Sequence, residues 1–339
     1  MTKITILGAG ITGMSIASQL PKDYDITIVA RDLPGDEPSQ DWASPWACAG
    51  WVALGGSARE QQMQLDALSY GRKLAASNPE SSVKINELTD VYDVGATSAL
   101  ELWYHERVPD YKPVDAAQFA LKGEDIQPTV AVQYSGFVVT PSVFLPWLRK
   151  RLEDGGVKFQ RITTVKSLAD LEYLGHDVLI NASGLASATL GDVKDESIIT
   201  DRTYVTLVKS KYDKSFVRRS ATEYTYIFGR HDGTTILGGI SEPVQNEVQS
   251  SATIRADLVR RANANLPDYF PSANPDDYEF VQDLVGIRPL RLPTVRVEKE
   301  VIGRQNVVHA YGTTAGGYIY SFGLAREAAL LVNEFIFSS

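Results

Sequence analysis

Three glycines near the start of the chain, Gly8, Gly10 and Gly13, have the spacing G-x-G-x-x-G. In a strand–turn–helix unit each has one job. Gly8 permits the tight turn out of the strand, Gly10 lets backbone approach a pyrophosphate, and Gly13 lets helix and strand pack closely. The next N–H groups, including those of Ile11 and Thr12, face the anion at the positive end of the helix dipole. A second set, Gly312, Gly316 and Gly317, follows the apolar run NVVHAY. Two strips of small residues lie between the sets. Ala47, Cys48, Ala49 and Gly50 stand between Trp46 and Trp51 and let backbone pass close to a flat ligand; Ala182, Ser183 and Gly184 end another apolar run. No Ser-His-Asp, Cys-His or metal set accompanies them, so the chemistry expected here is the holding of a nucleotide cofactor.

The flanking elements fit that chemistry. Residues 4–7 are apolar and β-branched, as a buried parallel strand requires. Met14, Ile16, Ala17 and Leu20 then recur at helical spacing, and 26–29 form a second strand. The position after it usually carries an acid for a ribose hydroxyl; here it reads Ala30-Arg31-Asp32. Either Asp32 is displaced, or Arg31 meets a phosphate or the adenine. That argues against plain NAD binding.

A chain of 339 residues is long for one simple domain, and two interleaved domains are expected. The net charge of −9 offers no basic face to nucleic acid. Cys48 is the single cysteine, which excludes an internal disulfide and a cysteine-based metal site. The four histidines, His105, His176, His231 and His309, show no metal-ligand spacing, so no metal is expected. His309 reads as a buried core residue. The first apolar run reads as a strand, not a secretory leader, and no apolar stretch reaches membrane-spanning length. The end, Phe337-Ser338-Ser339, is not the S-K-L peroxisomal address. A soluble intracellular protein is expected.

Further along, 57–75 read as an amphipathic helix, and segments between 87 and 139 as strands of an antiparallel sheet. Trp103 and Tyr104 read as core. Thr140 and Pro141 open a helix with Thr as cap, ending at a glycine stop. Strands are expected at 157–161, 204–209, 224–228 and 234–239, and a helix at 251–265. Residues 286–300 read as an extended segment punctuated by prolines, and 319–335 as a closing helix.

Three separated motifs, VARDLPGDEP…ASPWACAGW, GIRPLR and HAYGTTAGGYIYSFGLAREAA, resemble the FAD-dependent D-amino-acid oxidases, especially fungal ones, a family that includes the D-aspartate oxidases. The resemblance spans almost the whole chain. It implies an α/β fold: a Rossmann-like FAD-binding domain (1–56, 140–200 and 292–339) interleaved with an antiparallel-sheet, α+β substrate-binding domain (57–139 and 201–291). It implies noncovalent FAD held by Gly8, Gly10, Ile11, Thr12, Gly13, Arg31, Asp32, Ser44, Ala49, Gly50, Val165, Ser183 and Gly184. From the C-terminal motif it adds Gly312, Thr313, Ala315, Gly316, Gly317 and Tyr318. Arg288 stands at the family arginine that clamps the substrate α-carboxylate, and Tyr226 at the tyrosine that assists it. Leu54, Phe216, Arg219, Ser241 and Ala315 are the expected substrate pocket, and Arg291 reads as structural.

The implied reaction is hydride transfer from the α-carbon of a D-amino acid to flavin N5. Imine hydrolysis then gives the 2-oxo acid and ammonia, and O2 becomes hydrogen peroxide. Ser241-Glu242 supplies no cation for a second carboxylate, and Phe216 offers an apolar wall, so neutral or basic side chains are favoured. Arg218 and Arg219 are the cations that would reverse this. The alternatives are a D-aspartate oxidase of the same family, a nicotinamide-dependent dehydrogenase, and a catalytically silent flavin binder. The expected partners are the D-amino acid and O2, with no nucleic acid or membrane. The family likeness also allows a homodimer and a peroxisomal or cytoplasmic location.

Overall fold

The two apolar runs at the start of the chain become neighbouring parallel strands. β1 (Lys3–Leu7) pairs with β2 (Asp25–Ala30) in the register Ile4↔Ile26 and Ile6↔Ile28, and all four isoleucines are buried. The computed structural model describes residues 1–121 and 127–337; residues 122–126, within the expected substrate-binding segment, and the terminal Ser338-Ser339 lie outside them. The remaining strands are β3 (Lys84–Tyr92), β4 (Lys112–Val114), β5 (Val130–Val138), β6 (Lys158–Arg161), β7 (Val178–Asn181) and β8 (Ile198–Lys209). They continue with β9 (Ser215–Arg219), β10 (Thr225–Gly229), β11 (Thr234–Pro243), β12 (Phe280–Arg291), β13 (Arg296–Ile302) and β14 (Gln305–Tyr311). The α-helices are α1 (Ile11–Ala17), α2 (Ala58–Ser77), α3 (Pro141–Asp154), α4 (Ser251–Asn265) and α5 (Gly317–Phe337).

The first sheet has the order β13-β14-β7-β1-β2-β6 and is parallel except for the β13–β14 hairpin. Strand order reverses around β1, so a crevice opens beyond its carboxyl end, where the Gly8 turn lies. The long helix α5 covers this sheet and packs against α1 and α2. Its contact with α2 is close: a Cβ on Gly323 would stand 2.0 Å from the Met63 carbonyl oxygen.

The second sheet has the order β12-β8-β11-β10-β9-β3-β5-β4. It is not wholly antiparallel, because β3 and β9 run parallel with Leu88 opposite Ser215. Between these two strands the chain leaves for the first sheet and returns, so no hairpin dictates their direction. Side chains alternate across this sheet. Phe216, Ile227 and Leu237 face α4 and pack on Ile254 and Leu258, whereas Val217 and Phe228 belong to the core shared with the first sheet.

Element ends depart from expectation where pairing extends them. β8 begins at Ile198, which pairs with Arg291 of β12, and β11 runs to Pro243, which pairs with Asp201 of β8; Asp201 pairs on its other side with Arg288. Residues 286–300 are not one segment: they end β12 in the second sheet and begin β13 in the first. Ser57 caps α2 in a capping box with Glu60, but Thr140, at the cap position of α3, makes no side-chain capping bond. The closing helix starts at Gly317. Among the described residues no helix is long and apolar enough to cross a membrane.

Candidate active site

The first glycine turn is built by close approach. Gly8 has φ 113°, and its N–H donates to Val29 O at 2.9 Å. A Cβ on Gly8 would stand 2.4 Å from Ala182 O, and one on Gly13 would stand 2.0 Å from Gly8 O. A Cβ on Gly10 would reach into the crevice, 2.9 Å from Ser44 Oγ and 3.7 Å from Trp42 Nε1. Ser44 Oγ accepts from Ile11 N at 3.0 Å, and Ser44 O accepts from the Tyr318 hydroxyl at 3.1 Å. The loop after β2 is thereby tied to both glycine units.

From this turn a cleft of about 600 Å³ runs between the two sheets. Gly8, Gly10, Ile11, Thr12, Arg31, Asp32, Ser44 and Val165 line one end. Ala49, Gly50, Ser183, Gly184, Thr313, Ala315, Gly317 and Tyr318 also line it, as do Tyr226 and Arg288 from the second sheet. Residues distant in sequence therefore face one space. Arg31 is engaged with Asp32 at 2.7 Å and Asp41 at 3.0 Å.

Tyr226 lies flat over a glycine pair. It stands opposite Gly238 in the β10–β11 ladder, and a Cβ on Gly238 or Gly239 would come within 2.2 Å of its ring. Phe228 stacks against it with centroids 5.2 Å apart. Burial pushes the Tyr226 hydroxyl well above the ordinary tyrosine value, and the Cys48 thiol beside it adds to the shift. The hydroxyl stays protonated and can donate. Arg288 Nη2 donates to Ser241 Oγ at 3.0 Å and lies 3.3 Å from Asp201 Oδ2, while its buried Nε has no partner among the described residues. A fork with an unused donor is suited to a carboxylate.

Seven expected site residues do not line the cleft. Gly13 lies behind the turn, and side chains at Gly312 and Gly316 would run into Arg291 and Tyr320. Ser241 acts on Arg288 from beside the cleft. Leu54 is held away by backbone bonds to Gln64 and Trp103. Phe216 is on the wrong face: it pairs with Ile227, whereas Tyr226 pairs with Val217, and a one-residue offset reverses the side of a sheet. Arg219 is on the right face but is committed. Its Nε and Nη2 donate to Asp90 at 2.8 and 2.9 Å, and Nη2 also to Ala53 O at 2.7 Å. The Tyr104 and Tyr134 hydroxyls donate to the same Asp90 at 3.0 and 3.2 Å. Burial alone would lower the Arg219 pKa, but Asp90 raises it overall. Arg218 is likewise spent on Asp93, with 2.8 Å from both Nε and Nη2.

Several lining residues carried no sequence expectation. Thr203, Val205 and Gly286 alternate along β8 and β12 and were legible as period-two positions once those strands were placed. Trp42, and Asp201 beside the cleft, had no local signal. Arg291 donates to Asp195 at 2.7 Å, and His309 is wholly buried. Among the described residues no three His, Cys, Asp or Glu side chains are grouped to hold a metal.

The cleft fits a dinucleotide: its glycine turn leaves room at Gly10, and the buried Trp42 Nε1 beside it has no partner among the described residues. Comparison with known proteins agrees. A family model described as FAD dependent oxidoreductase (DAO) matches residues 3–331. The chain is 27% identical to a D-amino-acid oxidase of Schizosaccharomyces pombe, covering 97% of this chain and 95% of that one. It is also 27% identical to a D-aspartate oxidase of Talaromyces thermophilus, with the same coverages. Among solved structures, glycine oxidase from Geobacillus kaustophilus shares the fold with a TM-score of 0.74 at 17% identity, over 100% of this chain and 96% of that one.

Proposed function

Because the chain belongs to the FAD dependent oxidoreductase (DAO) family, we propose that it oxidises D-amino acids with neutral or basic side chains to imino acids, with O2 as the final acceptor. The observation that carries this reading is the Arg288 fork with its unpartnered Nε, at the same cleft as the protonated Tyr226 hydroxyl. In this reading Arg288 and Tyr226 hold the α-carboxylate and so fix the orientation of the α-carbon. When bound, FAD supplies the two-electron acceptor and the route to O2, giving hydrogen peroxide. The turn at Gly8–Thr12 would hold the pyrophosphate through backbone N–H groups other than those of Gly8 and Ile11, which donate to Val29 O and Ser44 Oγ, and Arg31 and Asp32 would serve the nucleoside end. The Ala49-Gly50 strip and the Thr313–Tyr318 turn would enclose the ring. No carboxylate or imidazole lines the Arg288 end of the cleft among the described residues, so orientation, not a side-chain base, is what the protein contributes.

The preference for neutral or basic side chains rests on charge. Arg218 and Arg219 are spent on Asp93 and Asp90, and Arg202 donates to the Val244 and Asn246 carbonyls beside Glu242. The anion nearest Arg288 is Asp201, which disfavours a second carboxylate. The family likeness extends the proposal to the domain division 1–56, 140–200 and 292–339 against 57–139 and 201–291. It also extends it to a homodimer and to the peroxisomal matrix or cytoplasm.

Peroxide release from D-alanine, D-methionine, D-arginine and D-aspartate tests the proposal on purified yellow protein. Release from the first three in excess of D-aspartate is the expected result. Release from none of them overturns it, and a large excess for D-aspartate turns it into a D-aspartate oxidase. Acid precipitation should leave the flavin in the supernatant, since noncovalent binding is proposed.

A further inference from the structure

The chain has five tryptophans, and four of their indole N–H groups have protein acceptors. Trp46 donates to Ser39 O at 2.9 Å, Trp51 to Gln64 O at 3.0 Å, Trp103 to Leu54 O at 3.0 Å and Trp147 to Glu80 Oε1 at 3.0 Å. Trp42 alone does not: its Nε1 is buried with no hydrogen-bond partner among the described residues. An indole nitrogen only donates, so a buried one without an acceptor carries a desolvation cost that only an acceptor removes.

That donor sits beside Gly10. Trp42 lines the cleft, and its Nε1 is 3.7 Å from where a Gly10 Cβ would stand. Gly10 is the second glycine of the fingerprint, the one whose missing side chain admits a pyrophosphate. The loop carrying the indole is anchored on both sides of it, by Arg31 to Ser39 and Asp41 before or beside it and by Ser44 to Ile11 after it. The cations that line the cleft, among the described residues, are Arg31, already engaged with two carboxylates, and Arg288 on the second sheet. Charge neutralisation by a free cation is therefore not what meets a pyrophosphate at Gly10.

We propose that Trp42 Nε1 donates a hydrogen bond to a pyrophosphate oxygen of the bound dinucleotide, as a neutral clamp opposite the glycine turn. This rests on the family reading of FAD as cofactor and adds a residue to that site. A donor to a phosphate oxygen is charge-assisted, and its loss weakens binding about tenfold.

The test uses apoprotein of the full chain and two readouts. Calorimetric titration with FAD and with ADP should show both weakened about tenfold in Trp42→Phe. In protein labelled with ¹⁵N-tryptophan, the indole signal absent from Trp42→Phe should move farther than the other four when ADP is added to the wild type. Unchanged FAD affinity in Trp42→Phe overturns the proposal. So does an ADP response no larger at Trp42 than at the other indoles, a result that needs no folded variant once the other four signals are assigned by their own Phe substitutions. Failure of the wild-type apoprotein to bind FAD at all would instead overturn the cofactor reading itself.

Discussion

Arg288 and Asp201 face one another across the β12–β8 ladder, with Asp201 Oδ2 3.3 Å from Arg288 Nη2. Ser241, from the strand on the other side of β8, joins them: its Oγ accepts from Nη2 at 3.0 Å and donates to Asp201 at 3.0 Å. Three strands of one sheet therefore aim a single guanidinium. The pair is partly exposed, 30% for Arg288 and 25% for Asp201, so it orients the cation more than it stabilises the fold.

Arg288→Ala should lower kcat/KM for a good D-amino acid by about a hundredfold or more. The unmade charge-assisted contact to the α-carboxylate is worth on the order of 3 kcal/mol. Flavin content should stay near that of the wild type. Steady-state kinetics and the visible spectrum check both, and an unchanged kcat/KM places the carboxylate clamp elsewhere.

Asp201→Asn should shift substrate choice towards acids. Removing an anion beside Arg288 favours a dicarboxylate over a monocarboxylate by up to about 1 kcal/mol at a partly exposed site, or about fivefold. The ratio of kcat/KM for D-aspartate over D-alanine reads this directly. A fall in that ratio would mean that Asp201 does not act through its charge.

Arg219→Ala should damage stability and leave substrate choice alone. Asp90 is fully buried, and removing its ion-pair partner costs about 3–5 kcal/mol. The urea midpoint of the holoprotein should fall clearly, with the D-aspartate to D-alanine ratio unchanged. A changed ratio would return Arg219 to the substrate pocket.

Gly13→Ala should lose FAD. The added methyl would lie 2.0 Å from the Gly8 carbonyl, which has to move and take the turn with it. Overpacking of this kind costs about 1–3 kcal/mol, and here the strain falls on the binding turn itself. The flavin-to-protein absorbance ratio after purification measures it, with Gly55→Ala, at an open position without a left-handed backbone, as control.

Acid should weaken the first sheet through His309. Burial, and then the nearby Arg296, hold its pKa below the ordinary 6.5, although Glu300 and Glu298 pull the other way. His309 Nδ1 faces the Asn181 amide nitrogen at 3.2 Å, and Nε2 faces Glu300 at 3.0 Å, so the neutral ring with hydrogen on Nε2 fits both. The unfolded chain then binds more protons than the folded one below 6.5. This stability contribution is complete above pH 6.5 and is lost as pH falls through the lower folded value. The drop in thermal midpoint from pH 7.5 to 5 should be smaller in His309→Gln than in the wild type.

Much of this was legible along the chain because it is local. The Gly8, Gly10 and Gly13 spacing names a turn by local pattern alone, although Gly8 and Gly10 also meet Ala182 and Ser44 from far along the chain. Apolar periodicity placed most strands and helices, and the family likeness pointed to Arg288 and Tyr226, which face one cleft. Phe216 and Arg219 were not legible. Whether Phe216 meets the cleft or α4 is decided by its pairing with Ile227, a matter of one residue of register between strands. Whether Arg219 is free is decided by Asp90, 129 residues away in sequence. Asp201 and Trp42 show the same limit: a carboxylate becomes a neighbour of Arg288 only when β8 pairs with β12, and an indole becomes an unpartnered donor only when its loop closes over Gly10. Spacing within an element is written in the sequence because bond geometry sets it. Which face, partner or charge a side chain meets is set by packing between distant segments, and only the tertiary structure decided that.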